Sequence, residues 1–290
     1  MEHSTFPQHS AENDEQRMLA RAAKGAVFRA LHQRDGAFII PNPWDIGTAR
    51  LLAHLGFEVL ATTSAGYAAS AGRPDYGIER DEMMAHIASI AATTPLPVSA
   101  DLENGFGDAP EMVAETIALA AAAGVVGGSI EDSTGVPEQP IYEFEHAVER
   151  VRAAAEAARA LSFPFTLTAR CENYLVGRTD IHETIKRLQA YGEAGADVLY
   201  APGIVTRENI AAVVSSVGRP VNVLAGLPGM EMSRDELAAM GVKRISIGSG
   251  LARAAFNAFL RAATEMREQG TFKFTQNTTS ISEIGKMFGA

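Results

Sequence analysis

The chain has 290 residues, 47% of them hydrophobic but only 7% aromatic, a formal net charge of −10 and one cysteine, Cys171. This length admits one large or two small domains, and a core of Ala, Val, Leu and Ile fits an α/β protein. An acidic balance without a basic run excludes a nucleic-acid or anionic-membrane surface, while a lone cysteine excludes an internal disulfide framework and suits a reducing, cytoplasmic setting.

Residues 1–16 are polar, lack the apolar core of a signal peptide and read as a disordered extension. From residue 37 onward short β-like runs alternate with helical patterns. Strands are predicted at 37–41, 57–62, 97–101, 125–130, 165–170, 197–201, 220–224 and 243–247. Between them, residues 110–123, 143–161 and 180–194 repeat their apolar positions at three and four, as amphipathic helices do. Ala123-Gly124-Val125 and Ala194-Gly195-Ala196 put glycine where a left-handed cap returns the chain to a strand. Eight β/α pairs in about 230 residues predict a (β/α)8 TIM barrel, a single domain over 17–290 with a C-terminal helical tail. An open doubly wound sheet is the competitor, but no G-x-G-x-x-G follows the first strand. No apolar run approaches the roughly 18 to 20 residues that span a bilayer.

Chemistry in such a barrel sits at the C-terminal strand ends. Strand one leads to Trp44-Asp45, strand two to Thr62-Thr63-Ser64-Ala65-Gly66-Tyr67 with Asp75 further along, and strand three to Asp101 and Glu103. Strand four ends at Glu131-Asp132 and strand five at Arg170-Cys171-Glu172-Asn173, and strand seven carries Asn222. In extended chain Asp101 and Glu103 point to the same side, an oxygen pair that a hard divalent cation takes; a polar loop capping the helix near Pro110 is the alternative. Glu131, closing an apolar run, must be paired, hydrated or metal-bound. Asp45 reads as an N-cap, Trp44 as a rim residue that packs or touches ligand, and Cys171 as a buried thiol facing away from Arg170. Glu172 and Asn173 either orient Arg170 or close its loop. Gly248-Ser249-Gly250 either seats an anion or packs the last turn. None of the five lysines or seven histidines falls at a predicted strand exit, which argues against a Schiff-base aldolase and favours Mg2+ or Mn2+ over zinc.

Four motifs in order resemble the isocitrate lyase and phosphoenolpyruvate mutase superfamily. Residues 63–75 resemble its substrate-loop segment, 101–107 (Asp-Leu-Glu-Asn-Gly-Phe-Gly) its metal motif, Ile130-Glu131-Asp132 its strand-four acid and Thr168-Ala169-Arg170 its strand-five arginine. The resemblance implies Mg2+ held by Asp101 and Glu103 with Asp75 and Glu131 close by. It also implies a small 2-oxo or 2-hydroxy carboxylate bound by Arg170 and the backbone around Thr63, Ser64 and Ala65, and a homo-oligomer, dimer or tetramer, that commonly swaps its last helix. The chain departs from the pattern as well. Residues 133–140 lack the Lys-(Lys/Arg)-Cys-Gly-His segment of the lyases and the gating lysine and asparagine of the phosphonate enzymes, Glu103 replaces an Asp, and Ser64 replaces a glycine.

With no thiol or lysine available, the residues suit metal-dependent C–C cleavage of a small 2-oxo or 2-hydroxy (di)carboxylate, of lyase or decarboxylase type, through a stabilised enolate. On this reading Asp101, Glu103 and Glu131 are the metal ligands, and Arg170, Glu131 and Asp75 are the catalytic candidates. Thr63, Ser64, Ala65, Asp101, Arg170, Asn222 and Trp44 contact substrate. Two alternatives stay open, a phosphonopyruvate-type C–P enzyme and a barrel that binds a 2-oxo acid without turning it over.

Overall fold

The computed structural model describes residues 8–289. A first helix, α1 (Gln8–Leu31), precedes β1 (Phe38–Ile40), α2 (Ile46–His54), β2 (Leu60–Ala61), α3 (Ser64–Ser70) and α4 (Arg80–Thr93). Next come β3 (Val98–Asp101), α5 (Pro110–Ala122), β4 (Gly127–Glu131), α6 (Phe144–Arg159), β5 (Thr166–Arg170) and α7 (Ile181–Ala194). The last pairs are β6 (Val198–Tyr200), α8 (Arg207–Ser216), β7 (Val221–Leu224), α9 (Arg234–Ala239), β8 (Arg244–Ser246) and α10 (Gly250–Gln269). A 3-10 turn (Lys273–Asn277) and α11 (Ile281–Met287) end the chain.

The eight strands run parallel in the order β1-β8-β7-β6-β5-β4-β3-β2. Between β1 and β2 the ladder gives way to one backbone bond, Ala61 N–H to Pro41 O at 3.0 Å, which brings the sheet round into a (β/α)8 barrel. Each predicted strand overlaps an observed one. Left-handed Gly124 (φ 105°) and Gly195 (φ 115°) close α5 and α7 as expected, and Asp45 caps α2 by accepting from Thr48 N–H at 2.7 Å. The frayed extension expected over 1–16 is a different matter: α1 already starts at Gln8, because Ala, Glu and Gln in that stretch are good helix formers, while residues 1–7 lie outside the described residues.

Register matters for function because neighbouring strands bring residues of the same level together. Glu131 pairs with Arg170, Arg170 with Tyr200, Tyr200 with Asn222, and Asn222 with Arg244, so one belt of polar side chains crosses five adjacent strands. Apolar residues fill the layer between sheet and helices, with Ile87, Ile90, Ile117 and Leu167 on one side of the ring and Leu188, Leu199, Ile210 and Val223 on the other. A third cluster of Phe28, Leu31, Phe38, Ile40, Val59 and Val126 packs the end of α1 against the barrel. Gly127 makes that seat feasible, since a Cβ there would stand 2.6 Å from the Phe28 ring.

The tail leaves the barrel. Only Ala252 of α10 is buried, and Phe259 and Leu260 are 68% and 61% exposed, whereas α11 folds back so that the Phe288 ring meets Arg50 of α2 at 5.8 Å. Among the described residues no helix is long and apolar enough to cross a membrane.

His32 lies in the seat of α1, edge-on to Phe28 and Phe38. Its Nδ1 donates to Phe28 O at 2.9 Å, its Nε2 is buried without a partner, and burial pushes its pKa down to about 3, with the Arg244 charge adding to the effect. The folded pKa is depressed below the unfolded value near 6.5, so below that pH the unfolded chain binds the extra proton. Stability should therefore fall as pH drops from about 6.5 toward 3, by up to about 1.4 kcal/mol per pH unit for this one group. Urea titrations at pH 7, 6 and 5 should show this slope in wild type and a shallower one in His32→Gln; equal slopes would remove His32 from the account.

Candidate active site

Arg170 ends β5 and occupies the centre of the mouth. Its Nη1 donates at 2.9 Å to Asp101 Oδ1 and lies 2.9 Å from Glu131 Oε2, and its Nε donates at 2.9 Å to Glu172 Oε1. The Tyr200 ring lies 5.3 Å from the guanidinium carbon. A fully buried carboxylate is costly unless paired, and each of these three is paired by the same cation. Burial pushes Glu131 well above the usual carboxylate range against the pull of Arg170, while the surrounding acids hold Arg170 protonated.

Asp101 is fixed from β2 as well. Its Oδ2 accepts from Ser64 N–H at 3.0 Å and Ser64 Oγ at 2.9 Å, and its own N–H donates to Thr62 Oγ1 at 2.9 Å. Ser64, where glycine was the expected residue, thus adds a second donor to the acid. Thr63 caps α3, accepting from Gly66 N–H at 3.2 Å.

Glu103 departs from the extended geometry assumed for the pair. β3 ends at Asp101 and Glu103 is left-handed (φ 49°), followed by left-handed Gly105 (φ 86°), so the two carboxylates converge through a turn rather than along a strand. Glu103 is buried and its Oε1 has no donor. Burial, then repulsion from Asp101 and Asp75, pushes its carboxyl up to about 8. Asp75 is raised by burial and by Asp101. Asp75 and Glu103 thus each feel the charge of Asp101, although among the described residues no three His, Cys, Asp or Glu side chains form a ready-made metal cage.

The loop carrying Glu103 is clamped from α6. Arg150, almost wholly buried, donates from Nη1 to Gly107 O at 2.6 Å and also bonds Asp108 O and Asn104 O, with its guanidinium 4.2 Å from the Tyr142 ring centre. Asp132 braces the neighbouring exits: it accepts from Glu172 N–H at 2.8 Å and Tyr191 OH at 2.6 Å, and Arg187 stands 3.3 Å away. Over the top, residues 132–142 form a short hairpin through the Ser133–Ile141 bridge, tied to loop three by Asn104 Nδ2 donating to Thr134 O at 3.3 Å. Tyr76, left-handed at φ 60°, donates its hydroxyl to Glu131 Oε1.

The strand ends, with Asp75, Leu175 and Leu227, line a cavity of about 240 Å3, small for a drug-sized ligand and suited to a short carboxylic acid. Of the residues expected from sequence, Thr63, Ser64, Ala65, Asp75, Asp101, Arg170 and Asn222 line it. Gly248 and Ser249 do too, but Gly248 N–H is engaged at 2.9 Å by Asn42 Oδ1. Trp44 does not reach the wall; it is half-buried beside the start of α2, with its N–H on Thr48 Oγ1 at 3.2 Å. Glu131 does not line the cavity; its Oε2 lies 2.9 Å from Arg170 Nη1 and its Oε1 accepts from Tyr76. Glu172 orients Arg170, Asn173 turns away to Thr184 Oγ1 at 3.3 Å, and Cys171 is buried. Tyr200, Ser129, Ser246 and Arg244 line the cavity and were not anticipated. Strand alternation was the available signal for Arg244 and Ser246, two polar residues two apart within an apolar run.

The phosphoenolpyruvate phosphomutase family model matches residues 28–267, and that span decides the matter. The chain belongs to this family. 2-Methylisocitrate lyase of Salmonella typhimurium is 30% identical over 261 residues, covering 86% of each chain. Among solved structures, a candidate lyase/mutase from Burkholderia cenocepacia J2315 is 65% identical with a TM-score of 0.91, covering 93% of this chain and 97% of that one. Phosphonopyruvate hydrolase, solved with oxalate and Mg2+, is 25% identical with a TM-score of 0.80 over 92% and 95% of the two chains. Membership of the isocitrate lyase and phosphoenolpyruvate mutase superfamily makes the chain an enzyme of that group, whose members include lyases, mutases and hydrolases.

The clamp makes a test of how the family's metal-motif loop is held here. Arg150→Met strands three backbone carbonyls and should lower unfolding free energy by about 2 to 4 kcal/mol. Exposed Arg152→Ala should change it by under about 0.5 kcal/mol. Denaturant midpoints measure both; equal midpoints would show that loop three does not depend on Arg150.

Proposed function

We propose that this chain is a Mg2+-dependent enzyme, with Mn2+ able to substitute, that cleaves a C–C bond of a small 2-oxo or 2-hydroxy dicarboxylate in a lyase or decarboxylase reaction. The observation that carries this reading is the mutual repulsion of Asp75, Asp101 and Glu103, of which Asp75 and Asp101 line the cavity and Glu103 does not, being buried with an oxygen that no donor satisfies. Such an all-oxygen set fits a hard divalent cation, which would relieve the repulsion that raises Glu103 and Asp75. Asp101 and Glu103 would hold the ion with Asp75 beside it. Bound there, it would polarise the 2-oxo group and stabilise enolate charge as the bond beyond the carbonyl breaks.

The chain's own residues do the rest. Arg170 spends Nε and Nη1 on acids, and its Nη2, without a protein partner among the described residues, is the donor left for the substrate carboxylate. Ser64 N–H is committed to Asp101, so the backbone contribution from this loop falls to Ala65 and Thr63. Asp75, which lines the cavity, is placed to move a proton at the substrate, while Glu131 positions Arg170 from behind.

We also propose that the chain assembles as a homodimer or tetramer in the cytoplasm. The open apolar residues Phe259 and Leu260 on α10 support assembly through that helix, and the buried free thiol of Cys171 suits a reducing compartment.

A panel of 2-oxo and 2-hydroxy acids, phosphonopyruvate included, assayed with Mg2+ and with chelator tests the reaction. Turnover of a C–C substrate should require Mg2+, and Asp101→Ala should reduce it by more than the roughly 10- to 100-fold that losing an outer support of a metal ligand costs. Full turnover in Asp101→Ala would refute the metal assignment. Turnover of phosphonopyruvate alone would move the reading to C–P cleavage, and tight binding with no product would make the barrel a binding protein.

A further inference from the structure

The belt across β4 to β8 is electrically lopsided. At one end Arg170 meets three carboxylates within 2.9 Å. At the other end Arg244 is more enclosed, at 5% exposure, yet pairs with no acid among the described residues. Its one hydrogen bond among the described residues is from Nε to Asn222 Oδ1 at 2.8 Å, and its Nη1 is buried without a partner. Of the other interior arginines, Arg187 is paired with Asp132 and Glu183, and Arg150, whose Nε is also buried without a partner, is held by three carbonyls where Arg244 has a single amide oxygen. Burial and the positive charge of Arg170 push Arg244 down to about 10, with only Tyr200 opposing.

A buried guanidinium without an anion is among the more expensive things a protein can keep. This one is held rigidly: Asn222 accepts from Arg244 and donates through Nδ2 to Ser246 Oγ at 2.9 Å, which fixes the amide. Arg244, Asn222, Ser246 and Tyr200 line the same cavity as Arg170 and Asp101. The acids gather at the Arg170 wall, while the Arg244 wall offers donors and an unmatched positive charge.

We infer that Arg244 is the specificity residue that receives the second, distal carboxylate of the substrate, so that the site selects dicarboxylates over the corresponding monocarboxylates. This deepens the proposed function and rests on its placing of the substrate in this cavity. A guanidinium matches a carboxylate through two parallel N–H donors, which a lysine or an amide does not reproduce. The ligand's far carboxylate would supply the anion that the fold withholds from Arg244, while its first carboxylate lies toward Arg170.

Malate and lactate differ by that distal carboxylate, so the test is calorimetric titration of each at fixed Mg2+. Wild type should bind malate at least about 30-fold more tightly than lactate, the scale on which losing one partner of a buried charge pair is felt. Arg244→Met should bring malate to the lactate level and leave lactate within about 2-fold. Should that variant fold poorly, Asn222→Asp supplies an internal anion 2.8 Å from Nε with little change of shape and should abolish the preference in a stable protein. No malate preference in wild type, or a preference surviving Asn222→Asp, overturns the inference. A preference lost in the variants of a protein that turns over no acid leaves Arg244 standing and refutes the C–C cleavage reading, whereas turnover with an Arg244-independent preference does the reverse.

Discussion

Arg170 cannot be exchanged or displaced without leaving the buried Glu131 and Glu172 and the part-buried Asp101 without their shared cation. Removing one partner of a buried pair costs about 3 to 5 kcal/mol, and here three pairs share one cation. That constraint sets the level of the belt, because the parallel register places Glu131 beside Arg170 and carries the line on through Tyr200 and Asn222 to Arg244. It also leaves the mouth with more carboxylates than cations. The structure lives with that excess by burying Glu103 at a raised pKa and by tying Asp101 to Ser64.

Holding such a group of charges requires stiff surroundings. Asp132, one residue beyond Glu131, points outward into the helix layer, where Tyr191 and Arg187 hold it, and reaches across to the Glu172 amide, so the exits of β4 and β5 move as one piece. Arg150 does the same for the β3 loop through backbone oxygens, and can therefore fix the loop's path whatever its side chains bind. Arg170, Asp75 and Arg244 are left lining the cavity within this braced frame.

The barrel was readable from the eightfold alternation of β and α, and the acids at its mouth from their positions at strand exits. What escaped the reading did so for identifiable reasons. Asp101 and Glu103 were treated as extended chain, but Asn104-Gly105 supports a turn that swings Glu103 into the left-handed region. Arg150 acts on carbonyls more than forty residues upstream, a long-range contact with no local signature. Trp44 was expected at the ligand on proximity to the first exit alone, and its neighbour Asp45 is committed to capping α2. Arg244 is legible in the sequence, because a period of two turns it inward with Ser246 from within the strand. Its significance, however, comes from what is not beside it, and a missing counter-charge is visible only in three dimensions.

On the function proposed above, the excess of carboxylates around Arg170 is a divalent-cation site facing a small carboxylate. Anomalous diffraction from crystals soaked with Mn2+ and oxalate tests it most directly. A peak is expected between Asp101, Glu103 and Asp75, with oxygen ligands from the chain, water or oxalate at distances of about 2 Å, and oxalate within reach of Arg170. Oxalate bound in the cavity with no peak beside those acids, or a peak elsewhere on the barrel, would contradict it.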